Sequence, residues 1–209
     1  MGMGVTDRDV LVVVDMQYDF LPGGSLAVAG GDEIVAPINA LAKRFANVVL
    51  TQDWHRADHV SFAANHAGAA PFSLIELAYG PQVLWPVHCV QGTRGAALVD
   101  ELDIPHAQMI IRKGYNRAVD SYSGFREADR TTPTGLAGYL RERGLERVFV
   151  CGLALDFCVA WTALDARAAG FDAILIKDLS RAIDADGSLA QAMADMDAAG
   201  VAFSTADMV

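Results

Sequence analysis

Four short apolar runs in this sequence are each followed by side chains that can act as nucleophiles, bases or metal ligands. The runs and the residues that follow them are 10–14 with Asp15, 48–50 with Asp53 and His55, 109–111 with Lys113, and 148–150 with Cys158. In an open parallel sheet, ligands bind at the carboxyl ends of the strands. If these runs are neighbouring strands, a thiol, carboxylates and an ammonium meet at one edge, and an enzyme that hydrolyses amides through a cysteine needs these groups.

Cys158 is the candidate nucleophile, with Asp15 and Lys113 as its partners. We expect Cys158 at the start of a helix, where unpaired N–H groups and the Lys113 ammonium favour a thiolate. Asp15 can take the thiol proton as a base and later return it to the leaving amine. The N–H groups of Ala154 and Cys158 are candidate oxyanion donors, provided that the residues between them form a tight loop. Each residue alone is more typical of a structural role, but three reactive types at three strand ends favour catalysis.

A carboxylate and two imidazoles form a second candidate site. Asp53, His55 and His88 could hold one divalent metal ion and leave positions for water and substrate. The spacing of Asp53 and His55 is common by chance, and a hydrogen-bonded loop is the alternative. The strand-end position and the further histidines His59 and His66 nearby favour a metal site. Zinc is the first choice, with iron or manganese as alternatives, and a contribution of His59 to the metal shell is left open.

The elements that position these residues are predicted by apolar runs that alternate with helix-like stretches. The runs are 10–14, 48–50, 109–111, 148–150, 173–176 and 201–203, and the helix-like stretches are 33–45, 135–143, 158–169 and 189–199. Continuous Val, Ile and Leu without alternation is typical of strands buried on both faces. The pattern predicts an α/β fold with three α/β/α layers around a central, mostly parallel sheet. We expect a single domain over residues 1–209.

One stretch, from about residue 51 to 95, breaks this alternation. It carries four of the five histidines and two of the three tryptophans. Long irregular excursions inside a compact domain are usually functional or disordered, and the aromatic and histidine content favours function. We interpret it as the metal-binding excursion of the domain.

Composition excludes several classes of partner. The formal net charge is −10 and the 16 basic residues are scattered, which argues against nucleic-acid binding. No run approaches the about 20 apolar residues of a membrane helix, and residues 1–8 lack the pattern of a signal peptide. We therefore expect no membrane partner and a cytoplasmic location. Three cysteines, an odd number, predict reduced thiols, and association into a homo-oligomer is left open.

Seven segments carry a resemblance to a known family. They are VDMQYDF at 14–20, PGGSLAV at 22–28, TQDWH at 51–55, WPVHCVQGT at 85–93, RKG at 112–114, DSYSGF at 120–125 and GLALDFCV at 152–159. Together they resemble the nicotinamidase/pyrazinamidase branch of the isochorismatase-like cysteine hydrolases over almost the whole chain. The resemblance implies an isochorismatase-like fold and a catalytic triad of Asp15, Lys113 and Cys158. It also implies a cis peptide bond between Leu153 and Ala154.

The resemblance further implies how a substrate is held. The metal ion on Asp53, His55 and His88 would bind a pyridine nitrogen, and the side chains expected to contact the substrate are Phe20, Trp85, Gln17 and Tyr122. Phe20 and Trp85 would lie on either side of the ring. Two positions depart from many relatives, Leu155 in place of Thr and Phe157 in place of Tyr or His, and could alter the pocket wall.

The expected reaction is hydrolysis of nicotinamide to nicotinate and ammonia through a cysteine thioester, in NAD salvage, with pyrazinamide as a second substrate. One alternative keeps the nucleophile and changes the substrate to another small amide or a carbamoyl or ureido compound. Isochorismatases that cleave a vinyl ether lack the nucleophilic cysteine, so Cys158 counts against that activity. A thiol sensor or a metal-binding module without turnover would need neither Asp15 nor Lys113.

Overall fold

The computed structural model describes residues 4–209, and its central feature is a six-stranded parallel sheet. The strands are β1 (Asp9–Val14), β2 (Asn47–Asp53), β3 (Leu74–Leu77), β4 (Gly80–Val83), β5 (Met109–Lys113), β6 (Arg147–Leu153), β7 (Asp172–Arg181) and β8 (Ala202–Ser204). The sheet has the order β5-β2-β1-β6-β7-β8, and all of its pairings are parallel. Each of the six predicted apolar runs falls within or overlaps one of these strands.

Helices cover both faces of the sheet. They are α1 (Val35–Ala42), α2 (Leu136–Glu142), α3 (Ala160–Ala168) and α4 (Ser188–Ala198). Leu11 and Val13 of β1 face a core that includes Ile38 of α1. Val12 of the same strand faces a second core with residues of α2, α3 and α4, among them Met196. Because successive residues of a strand point to opposite faces, β1 is buried on both sides, and the predicted three-layer α/β/α fold is confirmed.

The close approach of β6 to β1 depends on a glycine. Gly152 has φ +117°, and a Cβ atom at this position would lie 2.2 Å from the carbonyl oxygen of Val14. Only glycine combines this backbone conformation with so short a distance. The ends of β1 and β6, which lead to Asp15 and Cys158, are therefore held side by side.

The excursion between β2 and β5 contains an element that the sequence does not predict. β3 and β4 form a separate antiparallel hairpin. Both strands have only four residues, and Leu74 is 66% exposed, so the hairpin lacks the apolar run of a buried strand. Among residues 4–209, no helix is both long enough and apolar enough to cross a bilayer.

Candidate active site

The ammonium of Lys113 lies at the centre of a buried cluster at the carboxyl edge of the sheet. β2 and β5 pair Asp53 directly with Lys113. The Lys113 Nζ atom lies 2.7 Å from Oδ2 of Asp15 and 2.5 Å from Oδ1 of Asp53. It also donates to the Sγ atom of Cys158 at 3.2 Å and to the carbonyl oxygen of Ser121 at 3.1 Å. The structure thus brings together the three residues of the predicted triad.

Burial and charge set the protonation states in this cluster. Burial lowers the pKa of Lys113, but the carboxylates of Asp15 and Asp53 outweigh it and hold this pKa well above its usual value. Burial raises the pKa of the Cys158 thiol well above its usual value, and the ammonium of Lys113 opposes this only in part. Burial likewise raises the pKa of Asp15 despite Lys113. Burial thus favours the neutral thiol, and attack then needs a base, the role that the sequence predicts for Asp15.

The two carboxylate oxygens of Asp15 differ in their hydrogen bonds: one is held by a neighbouring hydroxyl, and the other is free to accept a proton. The hydroxyl of Thr51 donates to Oδ1 of Asp15 at 2.6 Å, and the Asp15 N–H donates to the same hydroxyl oxygen at 3.2 Å. The other oxygen, Oδ2, lies beside the Lys113 ammonium and accepts no well-aligned hydrogen bond. A carboxylate oxygen of Asp15 and the Cys158 Sγ atom lie within 4.8 Å of each other. Because Oδ1 already accepts from Thr51, Oδ2 is the candidate acceptor of the thiol proton.

The loop from β6 to the nucleophile is a tight turn. The peptide bond between Leu153 and Ala154 is cis, as the resemblance implies. One turn of π-helix, Leu155–Val159, precedes α3, and the N–H groups of Phe157 and Val159 both donate to the carbonyl oxygen of Ala154 at 3.1 Å. This turn supplies the tight loop that a pair of N–H donors from Ala154 and Cys158 would require.

Asp53, His55 and His88 form a compact set of potential metal ligands. One donor atom from each lies within 4.8 Å of the others, and all three side chains are buried. The Nε2 atoms of His55 and His88 lie 3.5 and 3.7 Å from Oδ2 of Asp53. The Nδ1 atoms of the two rings bond to the carbonyl oxygens of Gly114 and Pro86. Such bonds fix the tautomer and leave Nε2 free to ligate, so this donor set fits a divalent metal ion.

His59 lies beside this set rather than within it. Its ring centroid is 4.4 Å from that of His55, and its Nδ1 atom bonds to the Ser61 hydroxyl at 2.7 Å. Burial lowers the pKa of His59 to about 4, so the ring is neutral. Donor atoms of His55, His59 and Asp120 form a second group within 4.8 Å. His59 and the buried carboxylate of Asp120 therefore lie close to the same histidine, His55.

A pocket opens onto both sets of residues. Its lining residues are Phe20, Leu26, Asp53, His55, Trp85, His88, Asp120, Tyr122, Ala154, Phe157, Cys158 and Ile183. Three of the four predicted substrate contacts, Phe20, Trp85 and Tyr122, lie in this lining. The rings of Trp85 and Phe157 meet edge to face, with centroids 4.8 Å apart. The pocket therefore presents a thiol and an imidazole–carboxylate set to an aromatic chamber suited to a flat ring.

The comparison with known proteins agrees with this arrangement. The isochorismatase domain family matches residues 9–208. The chain belongs to the isochorismatase family. The nicotinamidase of Acinetobacter baylyi is 59% identical over 191 residues, which cover 91% of this chain and 89% of that protein.

Two solved structures extend this similarity to the fold. The crystal structure of PnC1 from L. infantum in complex with nicotinate has a TM-score of 0.87 and 42% identity, and the match covers 100% of this chain and 98% of that chain. The pyrazinamidase of Pyrococcus horikoshii, in complex with zinc, has a TM-score of 0.78 and 36% identity, with 95% of this chain and 99% of that chain covered. The predicted resemblance to the nicotinamidase/pyrazinamidase branch of the isochorismatase family is confirmed.

Gln17, the fourth predicted substrate contact, has a different place in this isochorismatase-family site. Its side-chain amide donates to the carbonyl oxygens of Asp53 and Ala96 at 2.8 and 2.9 Å. Its Oε1 atom accepts from the Asp53 N–H at 2.7 Å. Gln17 is fully buried and does not belong to the pocket lining. It fixes the backbone of a potential metal ligand, because its hydrogen-bonding groups are already used there.

Sequence reasoning missed three polar residues that organise the isochorismatase-family site. The hydroxyl of Thr51 donates a hydrogen bond to Asp15 and fixes its orientation, and Asp120 lines the pocket. Gln82 of β4 donates to Oδ2 of Asp120 at 2.8 Å and to the hydroxyl of Tyr122 at 2.9 Å. Thr51 and Asp120 lie in segments that carry the family resemblance and could have been found there. Gln82 lies on the unpredicted hairpin and gives no signal in the sequence.

Proposed function

We propose that this protein hydrolyses nicotinamide to nicotinate and ammonia, through a thioester on Cys158, as a step of NAD salvage. The observation that carries the proposal is the buried contact of Lys113 with both Asp15 and Cys158, because Cys158 lines an aromatic pocket. Pyrazinamide, which has the same ring size and carboxamide, is a second substrate in this proposal. The similarity to curated nicotinamidases supports it.

In the first half of the reaction, Asp15 acts as base and then as acid. Its Oδ2 atom takes the thiol proton while the Cys158 sulfur bonds to the carboxamide carbon. The N–H groups of Ala154 and Cys158 donate to the oxygen that gains the negative charge. Asp15 then returns the proton to the nitrogen, the C–N bond breaks, and ammonia leaves. Lys113 holds Asp15 in place and stabilises the transient thiolate.

In the second half, Asp15 takes a proton from a water molecule that adds to the thioester carbon. The same N–H groups stabilise the second tetrahedral oxyanion. The carbon–sulfur bond then breaks, Asp15 returns the proton to the Cys158 sulfur, and nicotinic acid leaves and loses its proton to solvent, which gives nicotinate. One buried carboxylate therefore serves both half-reactions, and its raised pKa suits a group that accepts and returns a proton.

Asp53, His55 and His88 would hold one divalent metal ion, with zinc as the first choice and iron or manganese as alternatives. When bound, the ion supplies a Lewis-acid contact for the nitrogen of a pyridine ring. Asp53 also pairs with Lys113 through its other oxygen. This carboxylate thus connects the ligand set to the triad and fixes the distance between ring and nucleophile.

Ammonia release from nicotinamide and from benzamide, each with metal-loaded and chelated protein, tests the proposal. Benzamide keeps the ring and the carboxamide but lacks the ring nitrogen. We expect nicotinamide to react about 100-fold faster than benzamide on the loaded protein and chelation to remove most of this difference. Metal content is measured in parallel, and zinc should restore the difference. If the loaded protein releases no ammonia from nicotinamide, the proposed function is wrong, and carbamoyl and ureido compounds become the substrates to test.

Gln82 offers a second test, away from the reacting atoms. Gln82→Leu removes the donor to Asp120 and Tyr122, so two pocket residues lose a fixed position. We expect the KM for nicotinamide to rise about tenfold with a smaller change in kcat, and the free energy of unfolding to fall by about 1–3 kcal/mol because a buried carboxylate loses a partner. The exposed Gln191→Leu is the matched control and should change neither quantity. An unchanged KM in a folded Gln82→Leu protein would show that Gln82 does not contribute to substrate binding.

A further inference from the structure

The pocket that Cys158 lines is narrow. The space that a water molecule can reach inside it is about 20 Å³, within a cleft of about 340 Å³ that includes its open side. A flat ring enters such a cleft most readily if part of its wall yields. Phe20, Trp85 and His88 are at most 4% exposed and belong to the packed interior. Ile183 differs, because it lies on the segment of residues 182–187 between β7 and α4.

One side chain, that of Asp156, links this segment to the turn that carries Cys158. Asp156, between Ala154 and Cys158, accepts a hydrogen bond on Oδ1 from the Ile183 N–H at 3.0 Å. Its Oδ2 atom accepts from the Asp184 N–H at 2.7 Å and from the Ser188 hydroxyl at 2.5 Å. Asp156 is only 5% exposed, and within residues 4–209 it forms no ion pair. Two donors from the segment and one from the first residue of α4 therefore take the place of a cation.

The backbone conformation of the segment also needs support from hydrogen bonds. Asp184 and Asp186 have φ values of +54° and +50°, and Gly187 has +83°. Left-handed conformations are uncommon for residues other than glycine and persist where surrounding contacts impose them. Asp184, Asp186 and Gly187 are exposed, so packing provides little of this support. The hydrogen bonds to Asp156 supply it at the adjoining end of the segment.

We propose that Asp156 is a positioning residue that holds segment 182–187 closed over the substrate pocket, with Ile183 as the part of the wall that moves. Release of its hydrogen bonds opens the pocket, and their return presses Ile183 against the bound ring. Because Asp156 and Cys158 share one turn, the wall is positioned relative to the nucleophile itself. The identity of the substrate ring rests on the proposed function, but the closure of segment 182–187 over the pocket does not.

Asp156→Asn tests this with three measurements, two of which need no substrate. The amide keeps the size of the side chain but lacks the charge and one acceptor oxygen. We expect hydrogen exchange at the Ile183 and Asp184 amides to accelerate at least about tenfold. Labelling of Cys158 by bulky N-phenylmaleimide, relative to small iodoacetamide, should rise about tenfold as the wall opens. The KM for nicotinamide should rise about tenfold, with kcat changed less than about threefold.

Asp195→Asn is the matched control, since it makes the same change on the exposed face of α4 and should alter none of the three measurements. Ser188→Ala removes one of the three hydrogen bonds without a change of charge, and it keeps the test decisive if Asp156→Asn does not fold. We expect it to shift exchange and labelling in the same direction by about threefold. Unchanged exchange and labelling in a folded variant would overturn the proposal, as would a fall in kcat at constant KM. Absence of turnover on nicotinamide would affect only the third measurement.

Discussion

Cys158→Ala is expected to abolish nicotinamide hydrolysis, with kcat at least about 10⁴-fold lower than in the wild type. Among the residues that line the pocket, only Cys158 carries a group that can form a thioester, so its loss removes the covalent route. The protein should remain folded, because alanine leaves a cavity of only one sulfur atom in a packed wall. Ammonia release under saturating nicotinamide measures the loss, and thermal unfolding checks the fold.

Cys151→Ala is the matched control for this variant. Cys151 is also buried, and burial raises its pKa far above that of a reactive thiol. It lies inside β6 among apolar side chains, so its loss should lower stability by about 1 kcal/mol and leave kcat nearly unchanged. Comparable residual activity in Cys158→Ala and Cys151→Ala would show that hydrolysis does not pass through Cys158. Direct attack by water on the carboxamide carbon would then be the mechanism to test.

The central sheet could be predicted from the sequence because its strands are buried on both faces. A strand such as β1 has six buried residues in succession, so its apolar run has no alternation and stands out from helices and loops. The β3–β4 hairpin could not be predicted in this way. The exposed and half-exposed residues of β3 alternate over only four positions, and Gln82 links β4 to the distant residues Asp120 and Tyr122.

The place of the candidate site could also be predicted, whereas its hydrogen bonds could not. Parallel strands end at one edge of the sheet, so residues that follow them must lie close together wherever the strands are adjacent. The partner of a polar side chain depends instead on residues far away in sequence. Gln17 illustrates this, because its amide binds the backbone of Asp53, 36 positions away. A glutamine at a strand end can contact substrate or backbone, and its type does not distinguish these roles.

The balance of effects on the pKa of the nucleophile depends on burial, which the sequence does not show. Cys158 near the start of α3 and close to an ammonium favours a thiolate if the thiol is accessible to solvent. The structure buries the thiol with Asp15 and Asp53 as additional neighbours, and burial together with the two carboxylates raises its pKa. The geometry therefore favours proton transfer to Asp15 during attack, and the base is required rather than auxiliary.

Lys113→Met should cause the largest combined loss of activity and stability. The variant keeps the length of the side chain but leaves the buried carboxylates of Asp15 and Asp53 without the ammonium that both contact. Removal of one partner from a buried ion pair costs about 3–5 kcal/mol, so we expect a decrease of this size in the free energy of unfolding, measured by urea at fixed metal concentration. Activity should fall at least about 10³-fold, since Asp15 then retains a proton and cannot act as base.

One further variant separates the charge of Lys113 from its geometry, and a second is the matched control. Lys113→Arg keeps the positive charge, but a planar guanidinium cannot replace a compact ammonium among two carboxylates and a thiol. We therefore expect it to recover more of the lost stability than of the lost activity. Lys43→Met, the same substitution at an exposed position of the chain, should change neither. A Lys113→Met protein that is folded and as stable as the wild type would show that Asp15 and Asp53 are already neutral, and it would contradict the ion pairs on which the proposed mechanism depends.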